Sequence, residues 1–306
     1  MLEVELLHSY RLEGELPRGH EIPSLIADLL QAERGWDIQK ALVGWHHRIL
    51  PGLGWESAFR TTQNYVGETL ASGEEVVHFV CPKPDDVRPL MRGWFELHHH
   101  LREQHLHPVM AAGVLGFSLV FIHPFLDGNG RLHRLMMLHH LMHSLQPSVP
   151  LPISRVILRW KDLYQQVLDQ HSREVMDHTP FRFSATGHLE VLGDTLHLHQ
   201  DMDLTVQVAF FMEVVEEAIK VDLPELWAEF VPIYELTLLL GEVLTWPQRR
   251  LRMLASMLIQ GGGKLSKTRK KRFWELNNQQ LQEVENRARA VLARLPTQPD
   301  QGEISG

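Results

Sequence analysis

Apolar residues recur along most of this chain at helical spacing. Leu25, Ile26, Leu29 and Leu30 mark one face of a helix over Ser24–Glu33. A second amphipathic helix covers Ile38–Leu50 and stops at Pro51-Gly52 and Gly54. The texture then changes. Thr61, Thr62, Tyr65 and Val66 favour strand, as do Val76, Val77 and Phe79, and Ala71-Ser72-Gly73 between the two groups signals a hairpin. Pro82, Pro84 and Pro89 mark a loop leading into a helix over Arg88–Leu101. Helices follow at Val109–Ile122 and Gly130–Leu145, the second stopped by Pro147, Pro150 and Pro152. Ser154 is a candidate N-cap for a helix reaching His171. Gly187-His188 and Gly193-Asp194 predict turns around a short strand pair between Thr179 and Leu198. From Asp203 to Leu295 the pattern is helical again, divided by Gly261-Gly262-Gly263. The expected fold class is all-α with a small β-hairpin and a helical C-terminal region. The expected division is an N-terminal region 1–34, a central core 35–185 and a mainly helical region 186–306.

Composition narrows the class. The 306 residues are 44% apolar and 22% charged, which suits a globular chain able to bury a core unaided. The lone cysteine, Cys81, rules out a disulfide framework, fits a reducing compartment and reads as a small buried residue. Met1–Glu5 carries acids and no basic stretch, unlike a signal peptide. The longest apolar run, Val109–Ile122, is shorter than the ~18–20 residues of a membrane span and is interrupted by Ser118. A cytoplasmic protein without a membrane partner is the expectation. The net charge of −8 argues against nucleic acid, and the basic run Lys264–Arg272 reads as a solvated helix face. Among the 20 histidines, His98-His99-His100 with His105 and His107 do not make a metal site, because adjacent helical residues point apart.

The chemistry concentrates in His123-Pro124-Phe125-Leu126-Asp127-Gly128-Asn129-Gly130-Arg131-Leu132-His133-Arg134. An apolar helix delivers a histidine at its end. Gly-Asn-Gly permits turns that aim successive N–H groups at one spot, and the helix starting there favours an anion. Arg131 and Arg134, three apart, share one face near that positive end. Two arginines beside such a nest suit a polyphosphate. Asp127 would repel phosphate unless a cation bridged them, and Mg²⁺ fits, since it takes one or two carboxylates plus phosphate oxygens. His123 remains as the group that titrates near neutrality and serves as base in transfer of a phosphorus-containing group.

This stretch resembles the Fic (filamentation induced by cAMP) motif, H-x-F-x-[DE]-G-N-G-R-x-x-R, at every fixed position. The resemblance implies a Fic-type helical bundle with ATP as substrate, moving AMP onto a Tyr, Thr or Ser hydroxyl of a target protein. It implies His123 as base, Phe125 as loop anchor and Asp127 as Mg²⁺ ligand. Gly128, Asn129 and Gly130 would form the anion hole, with Arg131 and Arg134 on the phosphates. Trp45–Pro51, Phe59-Arg60 and Val77–Pro84 resemble the segment before the Fic core and its flap, which holds a target peptide by main-chain pairing. The flap is expected at Thr61–Gly67 and Glu75–Val80, so the target would dock along residues 61–80. Ser154–Tyr164 is similar to the helix after the motif, and Asn277–Val284 to a helical tail. His133 departs from the small residue common before the last arginine, which implies a narrower γ-phosphate end.

Ser9-Tyr10-Arg11-Leu12-Glu13-Gly14 resembles the family's inhibitory helix, [ST]-x-x-x-E-[GN]. The resemblance pairs Glu13 with Arg134, where it would crowd the γ-phosphate and misalign the α-phosphate. Three alternatives stay open: removal of AMP with Glu13 orienting water, transfer of another nucleotide or phosphate-containing group, or a non-enzymatic nucleotide-binding regulator. An exposed helical face would support a homodimer.

Overall fold

The computed structural model describes residues 1–18, 20–31, 37–50, 59–104, 106–147 and 149–294. The stop signal at Pro51-Gly52 and Gly54, the end of the helix expected to reach Glu33, and His105 lie outside these residues. The architecture is all-α with small antiparallel hairpins. The described chain divides into two compact units, one up to Asp222 and one from Leu223 onward.

The first unit opens with α1 (Leu2–Leu12), α2 (Glu21–Gln31) and α3 (Ile38–Ile49). Asp37 caps α3 by accepting from the N–H groups of Gln39 and Lys40. The hairpin β1 (Tyr65–Thr69) and β2 (Glu75–Val80) follows, antiparallel, with an irregularity between Val66 and Gly67. The first strand starts later than the pattern suggested. Before it, Arg60 Nη1 donates to Thr62 O, which takes that carbonyl out of a ladder, while Asn64 O still accepts from Cys81 N.

Next come α4 (Pro84–Glu103), α5 (Pro108–Ile122) and α6 (Asn129–Leu145). Helix α4 begins four residues before the expected Arg88. Pro84 occupies its first turn, where a missing N–H costs nothing, and Pro89 lies inside the helix. The expected single helix from Ser154 is two: α7 (Ile153–Arg159) and α8 (Lys161–Asp177), separated at Trp160. Ser154 is not the cap. It lies inside α7, and its N–H is taken by both carboxylate oxygens of Glu5, at 3.0 and 2.9 Å, which joins α1 to α7. The strand pair β3 (Phe181–Phe183) and β4 (Leu189–Val191) turns at Gly187 as expected.

Helix α5 is buried almost all round. It packs on α4, α6 and α9 (Thr205–Glu217), so residues past 186 complete the core of the first unit. The second unit holds α10 (Leu223–Gly241), α11 (Gln248–Gln260), the short α12 (Lys267–Lys271) and α13 (Asn278–Leu292). Its core gathers Leu236, Leu240, Leu251, Leu254, Phe273 and Val284. The basic run lies on and around α12, which buries none of its residues. Among the described residues, no helix is long and apolar enough to cross a membrane.

Candidate active site

Helix α5 ends at His123, whose backbone is left-handed (φ 51) while its N–H still bonds Leu119 O. That turn throws the chain out of the helix and the imidazole into a cavity. The ring is fixed by Nδ1, 3.1 Å from Val120 O. A carbonyl can only accept, so Nδ1 carries the hydrogen and Nε2 keeps its lone pair. Burial pushes the imidazole down to about 4, against the opposing pull of the Val120 carbonyl. His123 is therefore neutral, the form a base requires.

Arg60 holds the main chain around His123. Its Nε donates to His123 O at 2.8 Å and its Nη2 to Pro82 O at 2.6 Å, while Arg60 N donates to Pro124 O at 2.8 Å. The buried guanidinium thus ties the foot of the hairpin to the loop. Asn64 Nδ2 adds a bond to Leu126 O at 2.9 Å.

Asn129 closes the loop from within. Its Oδ1 accepts from Phe125 N at 3.1 Å and its Nδ2 donates to Phe125 O at 2.8 Å. The Asn129 side chain is thus tied to Phe125, and its backbone N–H, at the start of α6, is placed to serve an anion. Phe125 stacks on His46 (3.7 Å, 9° between planes), and His46 Nε2 donates to Asp127 O at 3.1 Å. Gly128 takes φ 79, and a Cβ there would come within 3.0 Å of Leu50. Asp127 projects at the loop tip, its side chain 63% exposed, with Oδ1 accepting from Gly128 N.

Helix α6 carries the two arginines, and both are engaged by the N-terminal segment. Arg134 Nε donates to Ser9 Oγ at 2.9 Å, and its Nη2 donates to Ser9 O at 2.8 Å and to Glu13 Oε1 at 2.6 Å. Gly14 follows with φ 71. Glu13 also lies against Gly130, where any Cβ would collide with its Oε1. The carboxylate therefore sits over the helix N-terminus, the place an anion would take. Arg131 Nη1 donates to Glu15 Oε2 at 2.5 Å, with its guanidinium 5.2 Å from the centre of the Tyr10 ring.

Glu13, His123, Gly130, Arg134 and Tyr164 share a cavity of about 220 Å³, with Val66, His78 and Phe79 of the hairpin on one side. Of the residues singled out in the sequence, Glu13, His123, Gly130 and Arg134 line this cavity, Ser9 reaches it through Arg134, and Gly14, Asp127, Gly128, Asn129 and Arg131 lie outside the lining. His133 does not narrow the cavity. It is fully buried outside the lining, with Nε2 3.0 Å from the Tyr164 hydroxyl, because it faces about 100° away from Arg134 around α6. Sequence reasoning missed Glu15 and the bonds made by Arg60. Two acids two apart after a helix, Glu13 and Glu15, were the available signal for the first. Among the described residues, no group of three or more His, Cys, Asp or Glu could hold a metal ion. A lone exposed carboxylate beside an N–H nest instead fits an ion held jointly with phosphate oxygens.

An all-helical bundle with a histidine-bearing loop that runs into an anion-ready helix N-terminus defines the Fic class of fold. Residues 36–141 match the Fic/DOC family model. The chain is 38% identical over 117 residues to a protein adenylyltransferase Fic of Drosophila grimshawi, covering 37% of this chain and 22% of that one. Identity is also 38% over 120 residues to the protein of the same description from Drosophila virilis. The chain spans about a fifth of the length of these curated relatives. A crystal structure of a Fic family protein from Desulfovibrio desulfuricans G20 superposes with a TM-score of 0.51 at 20% identity, covering 93% of this chain and 74% of that chain.

Proposed function

We propose that this chain is a protein adenylyltransferase that moves AMP from ATP to a hydroxyl of a target protein and is held off at rest by Glu13. The observation that carries this reading is the neutral His123, its Nε2 lone pair free, in one cavity with Arg134 and the α6 N-terminus. The name of the curated relatives supports AMP as the transferred group.

In this reading His123 Nε2 takes the proton of the target hydroxyl. The hydroxyl oxygen bonds the α-phosphorus, the bond from that phosphorus to the α,β-bridging oxygen breaks, and pyrophosphate leaves. The N–H groups of Gly128, Asn129 and Gly130 and the guanidinium of Arg131 bind the phosphates, and Arg134 binds the terminal one. Asp127 would hold Mg²⁺, which would supply positive charge against the negative charge developing on the leaving phosphates. The hairpin, residues 61–80, presents its main chain to an extended target segment. β1 is mostly exposed, which suits added pairing. At rest Glu13 takes the Arg134 charge and the space over Gly130, so the terminal phosphate has neither.

A second reading follows from one contact. Glu13 lines the same cavity as His123, so it could orient a water and let the site remove AMP. Incubating a Glu13→Gly protein with labelled ATP, GTP, CTP and UTP in turn, with Mg²⁺, tests the first reading. It expects label from the α-position of ATP and none after His123→Ala. Activity of the wild-type chain on an already modified target, without net transfer by Glu13→Gly, would favour the second.

A further inference from the structure

Helix α10 is apolar on two opposite faces. One face, with Leu226, Leu236 and Leu240, is buried. The other carries Trp227, Phe230, Val231, Tyr234 and Leu238, between 36% and 64% exposed. At 100° per residue these five fall within about 100° of arc, a continuous stripe along the helix. A helix apolar on both sides is one that has both sides covered. Stripes this rich in aromatic residues mark interfaces.

The stripe carries no unpaired charge that would select a partner of opposite sign. Glu235, the acid nearest to it, is held by Arg294 Nη1 at 3.0 Å, and Glu242, beyond Leu238, by Arg287 Nη1 at 2.6 Å. Glu225 and Glu229 lie away from the stripe, exposed in the first turns of the helix ahead of its buried Leu236 and Leu240. From Leu223 to Trp246 there is no lysine, arginine or histidine.

Four of the five positions are also symmetric about one midpoint, Phe230 being the exception. An antiparallel copy related by an axis passing between Pro232 and Ile233 sets Trp227 opposite Leu238 and Val231 opposite Tyr234. A large side chain meets a smaller one at both of these steps, as interdigitation requires, and Phe230 meets the aliphatic stem of Glu235, whose carboxylate is held by Arg294. With aromatic side chains of 150–250 Å², the exposed fractions leave about 500 Å² per copy, so a pair covers about 1,000 Å² before its rim, the threshold for a specific interface.

We infer that the α10 stripe is a two-fold interface with a second copy of this chain, formed by antiparallel pairing of α10 with itself. The inference is independent of the chemistry of the first unit. Light scattering on the full chain across roughly a hundredfold range in concentration reads the mass directly. The expected result is a dimer that Tyr234→Glu weakens at least ~10-fold while leaving the circular dichroism and melting unchanged, since this residue is exposed. Trp274→Ser, which removes an exposed tryptophan off the stripe, leaves the dimer intact. Native Cys81 is buried, so a mixture of Val231→Cys and Tyr234→Cys chains forms an intermolecular disulfide more readily than either chain alone. A wild-type chain that stays monomeric throughout, a dimer indifferent to Tyr234→Glu, or no preference for the mixed disulfide would overturn the inference.

Discussion

Arg131 Nη1 lies 2.5 Å from Glu15 Oε2, so the first arginine of the loop is occupied by a carboxylate just as Arg134 is occupied by Glu13. One short segment, Glu13–Glu15, thereby answers both positive charges on the α6 face. Glu15 N bonds Tyr10 O, which folds that segment back under the end of α1.

If Glu15 competes with phosphate for Arg131, Glu13→Gly releases half of the pair. The double variant Glu13→Gly/Glu15→Gln then binds ATP more tightly than Glu13→Gly alone, by about 3–10-fold, the worth of one charge-assisted bond with one exposed partner. Titration calorimetry of both variants measures it. Equal affinities would leave Glu15 as a surface contact only.

The pH profile of transfer follows from His123. Its imidazole is pushed down to about 4 by burial, so it stays neutral, and able to accept a proton, well below its ordinary value of 6.5. In the Glu13→Gly background kcat/KM holds as pH falls through 6.5 and declines only as it approaches about 4. A half-maximum near 6.5 would mean that the imidazole titrates as if exposed.

Glu5 gives a stability prediction of defined sign. Burial pushes its carboxyl up from 4.5 to about 7, although the Ser154 N–H pulls the other way. The folded chain therefore holds a proton that the unfolded chain releases between those values, and stability falls as pH rises through this window. Glu5→Gln keeps an acceptor for Ser154 N and removes the ionisation. It stabilises the chain near pH 8 by up to about 2–3 kcal/mol and changes little below pH ~4.5. Urea unfolding at both pH values decides it, and a Gln variant less stable at pH 8 would refute the argument.

Asn129 supports the loop through two bonds to Phe125. Asn129→Ala leaves a buried N–H and C=O without partners, at about 2–4 kcal/mol, and lets Phe125 leave its stack on His46. Denaturation curves should show that loss together with lost ATP binding. An alanine variant of wild-type stability would place the support elsewhere.

Much of the site was legible because its chemistry is local. His123, Asp127 and Arg131 through Arg134 fall within one turn and the helix it starts, and Ser9–Gly14 within one helix end. Arg60 and Glu5 were not legible in the same way. Their partners, His123 O and Ser154 N, lie 63 and 149 residues away, and main-chain atoms leave no signature in a sequence. The break at Trp160 carries no Pro or Gly, so periodicity ran straight through it. Before β1 the Arg60 side chain takes Thr62 O, a contact that strand propensity does not register. The place of α9 depended on packing against α5, which composition alone does not show.

The central claim is a transfer site with a neutral histidine base held off by Glu13. Intact-mass analysis of wild-type, Glu13→Gly and Glu13→Gly/His123→Ala chains after incubation with ATP and Mg²⁺ tests it most directly. The account predicts an added AMP on the Glu13→Gly chain or on a co-incubated target, little on wild type, and none with the double variant. Equal labelling of wild type and Glu13→Gly, or labelling that survives His123→Ala, would contradict it.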